Sequence, residues 1–250
     1  NDTKDRDKYR IYGELINTYG YNIKEGDKSL SALNYYTNEE ITIPLDSSLS
    51  PSENAVKYFN RYNKLKRTYE ATTIQLKETE DEIAHLESVA TSLDIAVSEE
   101  DLSQLKMELA DSGYIKKTYN NNKKIKVTSK PFHYISSDGY DIYVGKNNYQ
   151  NDELTFKFAK GDDFWFHVKG MAGSHVILKT NGKNQEEIPD RAFEEAASLA
   201  AYYSKGQSQD KVEVDYVLKK EIKKPAAAKP GFVVYYTNYS LIASTDISKL

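Results

Sequence analysis

The side chains best equipped for chemistry crowd into residues 161–178: Asp162, Asp163, Trp165, His167, Lys169, Ser174 and His175, with glycines at 161, 170 and 173. That block holds the only tryptophan and two of the four histidines. An indole, imidazoles and an ammonium together suit nucleic acid: a base stacks on Trp165, Lys169 takes a phosphate, and His167 and His175 hydrogen-bond. A metal site would draw on His167, His175, Asp162 and Asp163. Two histidines eight residues apart match no standard ligand spacing, however, and no third close ligand follows. Nuclease chemistry would pair Asp163 with Lys169, yet no Glu-x-Lys follows the aspartate. Ser174 lacks the Gly-x-Ser-x-Gly frame of a nucleophile elbow. With no cysteine there is no thiolate or disulfide chemistry. Binding is the chemistry the block supports best, with no cofactor called for and a metal-dependent enzyme as the remote alternative.

The block reads as a strand, a glycine turn and a second strand. Alternation puts Phe164, Phe166 and Val168 on a core face and Trp165, His167 and Lys169 on the face offered to a neighbour, with His175 just past the turn. The alternative is that Trp165 and both histidines are buried within the domain. A second candidate is the run 219–232, with Lys219, Lys220, Lys223, Lys224 and Lys229 on a loop stiffened by Pro225 and Pro230. A stiff lysine loop loses little entropy on gripping a phosphate backbone. Its plainer reading is a solubilising surface loop.

The clearest element around these residues is 53–97, whose heptad a positions are Ala55, Tyr62, Tyr69, Leu76, Ile83, Ala90 and Val97. The d positions are Tyr58, Leu65, Thr72, Thr79, Leu86 and Leu93. Ser50-Pro51-Ser52-Glu53 supplies a capping box at its start. The pattern predicts a helix of about 68 Å. Its seam needs a partner helix, which a second copy could supply. A shorter helix is expected over 5–19, ended by Gly20, with Tyr9, Tyr12, Ile16 and Tyr19 on one face. A hairpin over 30–46 turning at Thr37-Asn38 and a helix over 99–112 capped by Ser98 complete the arm.

From 131 the pattern changes. Strands around Ser137-Asp138-Gly139 read as a hairpin. Residues 151–160 read as a short helix with Leu154 and Phe158 inward, and 190–205 as a helix burying Phe193, Ala196, Ala197 and Ala200. Strands are expected at 212–217 and 232–236. The fold class is α+β: a long coiled-coil arm with a small hairpin tip, then a compact mixed β-sheet domain packed with two or three helices. The domains are 1–114, a basic linker 115–130 rich in lysine, and 131–250. The linker reads as a solvated hinge or as a phosphate-contacting strap.

Charge separates the halves. Residues 1–114 carry 13 Lys+Arg and 22 Asp+Glu, a net of −9, whereas 115–250 carry 21 and 16, a net of +5. The basic half is the one to meet phosphate. No apolar run approaches the roughly 20 residues of a membrane span. The polar start at Asn1-Asp2-Thr3 suggests a piece cut from a longer protein.

These blocks together resemble the NFACT family. The resemblance runs through nearly all 250 residues. In the arm it rests on Tyr12-Gly13-Glu14-Leu15, Asn34-Tyr35-Tyr36, Ile43-Pro44-Leu45-Asp46 and Pro51-Ser52-Glu53-Asn54-Ala55. In the basic half it rests on Val144-Gly145-Lys146-Asn147-Asn148, Asn151-Asp152-Glu153-Leu154-Thr155, Trp165-Phe166-His167-Val168-Lys169, Gly173-Ser174-His175-Val176 and Lys229-Pro230-Gly231-Phe232. Where the family has Asp-x-Pro-Gly-Ser-His, this chain has Gly170-Met171-Ala172-Gly173-Ser174-His175.

The resemblance implies the later part of the family architecture: a coiled-coil arm, then an RNA-binding NFACT-R domain, with the family's N-terminal and helix-hairpin-helix regions expected to lie outside this stretch. It implies action on obstructed large ribosomal subunits, through rRNA and peptidyl-tRNA, in support of alanine tailing of the stalled chain in the cytoplasm. It also implies an alternative, a fibronectin- and fibrinogen-binding surface adhesin displayed without a signal peptide. The candidate RNA- or partner-binding residues are Trp165, His167, Lys169, Ser174, His175, Lys146, Lys219, Lys220, Lys223, Lys224 and Lys229.

Overall fold

A computed structural model of the chain describes residues 4–116, 129–248 and 250. The expected basic linker, apart from its two ends, lies outside the described residues. What is described forms two compact units that divide between Asp81 and Glu82.

In the first unit, α1 (Asp7–Tyr19) is followed by an antiparallel hairpin of β1 (Ser29–Asn34) and β2 (Glu39–Pro44). The expected turn is present, with Asn38 in the left-handed region at φ 57°, which asparagine tolerates. Strand β1 alternates exposed and buried and delivers Leu30 and Ala32 to a small core with Leu15, Ile16, Ile43 and Ala55. Gly13 lets α1 come close to the helix that follows the hairpin, because a β-carbon there would stand 2.8 Å from the Phe59 ring.

That long helix, α2 (Pro51–Ile95), has 45 residues, the predicted length. The capping box at its start forms: the Glu53 amide donates to Ser50 Oγ at 3.3 Å, and the Ser50 amide donates to Glu53 Oε2 at 2.8 Å. The heptad seam behaves differently along its length. Ala55 is buried, but Tyr69, Leu76, Ile83, Leu86 and Leu93 are 38–58% exposed. Within the second unit α2 buries His85, Val89, Ser92 and Ile95 instead, a face rotated away from the a and d positions. The coiled-coil stripe is real in the sequence, and in the single chain most of it meets solvent.

The second unit holds α3 (Glu99–Asp111), β3 (Phe132–Ile135), β4 (Asp141–Val144), α4 (Asn148–Glu153), β5 (Phe164–Val168), β6 (Val176–Leu178), α5 (Asp190–Tyr202), β7 (Lys211–Leu218) and β8 (Tyr239–Ser244). Six strands make one sheet in the order β3-β4-β6-β5-β7-β8, each pairing antiparallel. Helix α5 covers one face. Its Ala192, Ala196, Ala197 and Ala200 are small enough to bring the backbone down onto Phe164, Phe166 and Val168, and all seven are fully or almost fully buried. Each buried phenylalanine contributes about 1.5–3 kcal/mol by leaving water.

Two expectations are corrected. Residues 232–236 are not a ladder strand. After Gly231, at φ 80°, the chain makes only an isolated bridge between Lys223 and Val234 and lies over the sheet's second face, and β8 closes the sheet instead. The 151–160 helix begins earlier, at Asn148, capped by Asn147 Oδ1 accepting from the Gln150 amide at 3.0 Å. It then opens into a π-turn over Leu154–Phe158, with the Ala159 amide bonded to the Leu154 carbonyl at 2.8 Å. The wider turn shifts the helical phase. Leu154 points in, while Phe158, expected inward, is 42% exposed.

Candidate nucleic-acid interface

The strand register sets one row of cross-strand neighbours on the face opposite α5: His133, Tyr143, Ile177, Trp165 and Val217. The π-turn and the 222–235 segment roof the middle of this row. Trp165 is 0% exposed, packed with Leu154, Ala159, Ile177, Val217 and Ile222. The expected alternation therefore holds, but the second face is a second core, and the indole has no open side for a base. Its Nε1–H has no hydrogen-bond partner among the described residues.

The histidines belong to the same packing. Trp165 stacks on His167 at 5.6 Å and meets His175 edge-on at 5.0 Å. His167 is held down to about 4 by loss of solvent. His175 is pushed well below its ordinary value by burial and then by the neighbouring His167. Its Nδ1 lies 2.8 Å from the Thr155 hydroxyl. Both rings are neutral near pH 7 and bring no positive charge to a phosphate. Ser174 is also inside, donating to the Gly145 carbonyl at 2.5 Å. Gly145 cannot be replaced easily, because a β-carbon there would stand 2.2 Å from Asn151 Oδ1.

Lys146 is committed as well. It pairs with Asp101 of α3 at 3.2 Å and lies over the Phe132 ring, with 12% of its side chain exposed. Lys169 is open to solvent and pairs with Glu213 at 2.6 Å, which raises its pKa. Asp163, considered above as a metal or nuclease carboxylate, takes the Lys179 ammonium and the amides of Lys160 and Thr180. Among the described residues no group of three or more His, Asp or Glu is placed to hold a metal ion.

Besides Lys169, the lysine loop remains on the surface, and its backbone is fixed. The Lys219 amide donates to the Asp163 carbonyl at 2.8 Å, the Lys220 amide to the Gly161 carbonyl at 3.1 Å, and Lys223 and Val234 exchange two bonds at 2.9 Å. The Gly231 amide donates to Asp152 Oδ1 at 3.0 Å, and the Lys224 ammonium binds the same carboxylate. Lys229 donates to the Tyr114 hydroxyl at 3.2 Å. Lys224 and Lys229 thus hold the loop. Lys219 is half-buried, Lys220 and Lys223 are exposed, and none of the three has an ion pair among the described residues.

Sequence reasoning missed a cluster of buried amides that fastens α3 to α4. Asn147 and Gln150 both donate to Gln104 Oε1, at 2.7 and 2.9 Å, and Asn148 donates to Glu108 Oε1 at 2.7 Å. The signal was present as four amide residues between positions 147 and 151, shortly after a glycine.

Known proteins share this architecture. Residues 1–128 match the family model described as NFACT N-terminal and middle domains, and residues 130–237 match the NFACT protein RNA binding domain. A Streptococcus suis protein named Rqc2 homolog RqcH is 42% identical over 94% of this chain and 41% of its own length. A Streptococcus pneumoniae protein of the same name is 39% identical over 99% of this chain and 44% of its own length. The chain therefore spans about two fifths of these relatives. A solved structure described as the C-terminal of the fibronectin/fibrinogen-binding protein from Streptococcus suis superposes with a TM-score of 0.72 at 33% identity, over 99% of this chain and 88% of that one.

Proposed function

This chain belongs to the NFACT family, and from that premise we propose that it is the ribosome- and RNA-binding part of a quality-control factor. In this reading it engages obstructed large ribosomal subunits that still hold peptidyl-tRNA and supports alanine tailing of the stalled chain. It acts in the cytoplasm as a binding module rather than as a catalyst. The observation that carries the reading is the anchored lysine loop, which presents Lys219, Lys220 and Lys223 from a backbone already fixed by Asp163, Gly161 and Val234. A phosphate backbone meeting these ammonium groups has little loop entropy to remove. The exposed seam of α2 is read as the meeting surface for a second helix, supplied by another copy of the chain. Co-sedimentation with purified large subunits tests the reading: the parent chain pellets with them, and Lys219→Ala/Lys220→Ala/Lys223→Ala stays in the supernatant. Equal pelleting by both would refute it.

A second reading is favoured by the similarity to the fibronectin/fibrinogen-binding protein of Streptococcus suis. There the partner is fibronectin or fibrinogen, met through the β8 edge, where an extended segment would add a strand. Titration of the chain with fibronectin gives saturable binding if this reading holds.

A further inference from the structure

The row of cross-strand neighbours that is buried at Trp165 emerges at its other end. His133 and Tyr143 oppose each other on β3 and β4 with their rings stacked at 4.5 Å and 6°. Phe158 meets the Tyr143 ring edge-on at 4.6 Å. The His133 side chain is 45% exposed and Phe158 42% exposed, so this aromatic ladder faces water. Leu154 and Ala159, on and just after the same π-turn, are buried, so the turn is already anchored without Phe158.

Cations gather around the partly exposed Phe158 ring. Lys157 and Lys160 flank it in sequence, both are exposed, and neither ammonium has an ion pair among the described residues. Lys220 comes in from the loop: its amide bonds the Gly161 carbonyl at 3.1 Å, and a β-carbon at Gly161 would lie 3.6 Å from that of Lys220. The Lys179 ammonium lies over one face of the Phe158 ring, 4.8 Å from its centroid and with its charge met by Asp163, so a base would stack on the other face. Of the acids nearby, Asp141 is bound to His133 at the β3 end of the ladder, and Asp162 reaches the Thr180 hydroxyl at 3.5 Å. Exposed rings beside unpaired ammonium groups are the arrangement by which single strands are held, with bases stacking on rings and phosphates on cations.

We propose that Phe158, with the His133–Tyr143 ladder behind it, is a stacking platform for an unpaired RNA base, and that Lys157, Lys160 and Lys220 take the adjoining phosphates. The platform rests on the RNA-binding reading above and names the ligand at one place on that surface. The test is fluorescence anisotropy of the full chain with a short fluorescein-labelled single-stranded RNA and with an abasic ribose-phosphate strand of equal length. Phe158→Ala weakens binding of the base-bearing strand roughly tenfold and leaves the abasic strand unchanged, while Phe158→Trp keeps both. Lys157→Ala/Lys160→Ala weakens both strands. Parental affinity of Phe158→Ala for the base-bearing strand overturns the platform, and if the lysine variant still loses affinity the RNA-binding reading survives. Failure of the parent chain to bind either strand overturns both.

Discussion

At the scale of single residues, Trp165 holds the sheet's second face together. Trp165→Ala removes an indole that is 0% exposed from a closed packing environment, and it is expected to cost about 3–5 kcal/mol in urea denaturation. A loss of RNA binding by that variant would therefore report unfolding, which makes Phe158 the informative aromatic substitution. The neighbouring imidazole gives a pH signature. His167 falls to about 4 in the folded chain, against about 6.5 when unfolded. Between those values the unfolded state binds more protons, so stability falls as pH drops from about 6.5 toward about 4. Urea midpoints measured across that window should decline, and His167→Gln should flatten the decline. An unchanged slope would mean that His167 is not the group responsible.

At the scale of elements, the docking of α3 is the unusual feature, because its buried side is largely polar: Asp101, Gln104 and Glu108 beside Leu105. Glu108 Oε2 has no hydrogen-bond partner among the described residues, and burial raises the pKa of this carboxyl. A raised carboxylate pKa means the folded state holds the proton better, so stability is lost as pH rises through the folded value. Glu108→Gln should therefore stabilise the chain relative to the parent more at pH 8 than at pH 5, read as urea midpoints. A gain independent of pH would contradict this account of the site.

The elements themselves are largely legible in the sequence. The Ser50 capping box, the Ser98 cap, the Asn38 turn and the Phe164–Val168 alternation are local rules, and local rules survive folding. What is not legible depends on tertiary cover. Nothing in the alternation of β5 says that the 222–235 segment folds back over Trp165, and that cover turns an expected binding face into a core. Phe158 faces outward because a π-turn shifts the helical phase without any residue that marks it. Lys146 and Ser174 have the chemistry of binding residues but are used within the fold, by Asp101 and by the Gly145 carbonyl.

At the scale of the whole molecule, charge and hydrophobicity are divided between regions. The acidic first half carries the exposed a and d positions of α2, and the basic second half carries the anchored lysines. The seam predicts self-association: sedimentation equilibrium should show a dimer that Leu76→Glu/Ile83→Glu converts to monomer. A parent chain that is monomeric at high concentration would remove the second copy as the partner. The lysines predict a salt signature. Each phosphate of a single strand that is no longer neutralised lowers the slope of log affinity against log salt by roughly 0.7, so the Lys219, Lys220 and Lys223 triple substitution should reduce it by about 2. The most direct measurement is binding of the full chain to purified large ribosomal subunits and to fibronectin, side by side across a salt series. Binding of the subunits that weakens steeply with salt and disappears with the three lysines, beside weak or absent binding of fibronectin, is the expected result. Saturable, salt-insensitive binding of fibronectin with none to the subunits would contradict the ribosomal reading.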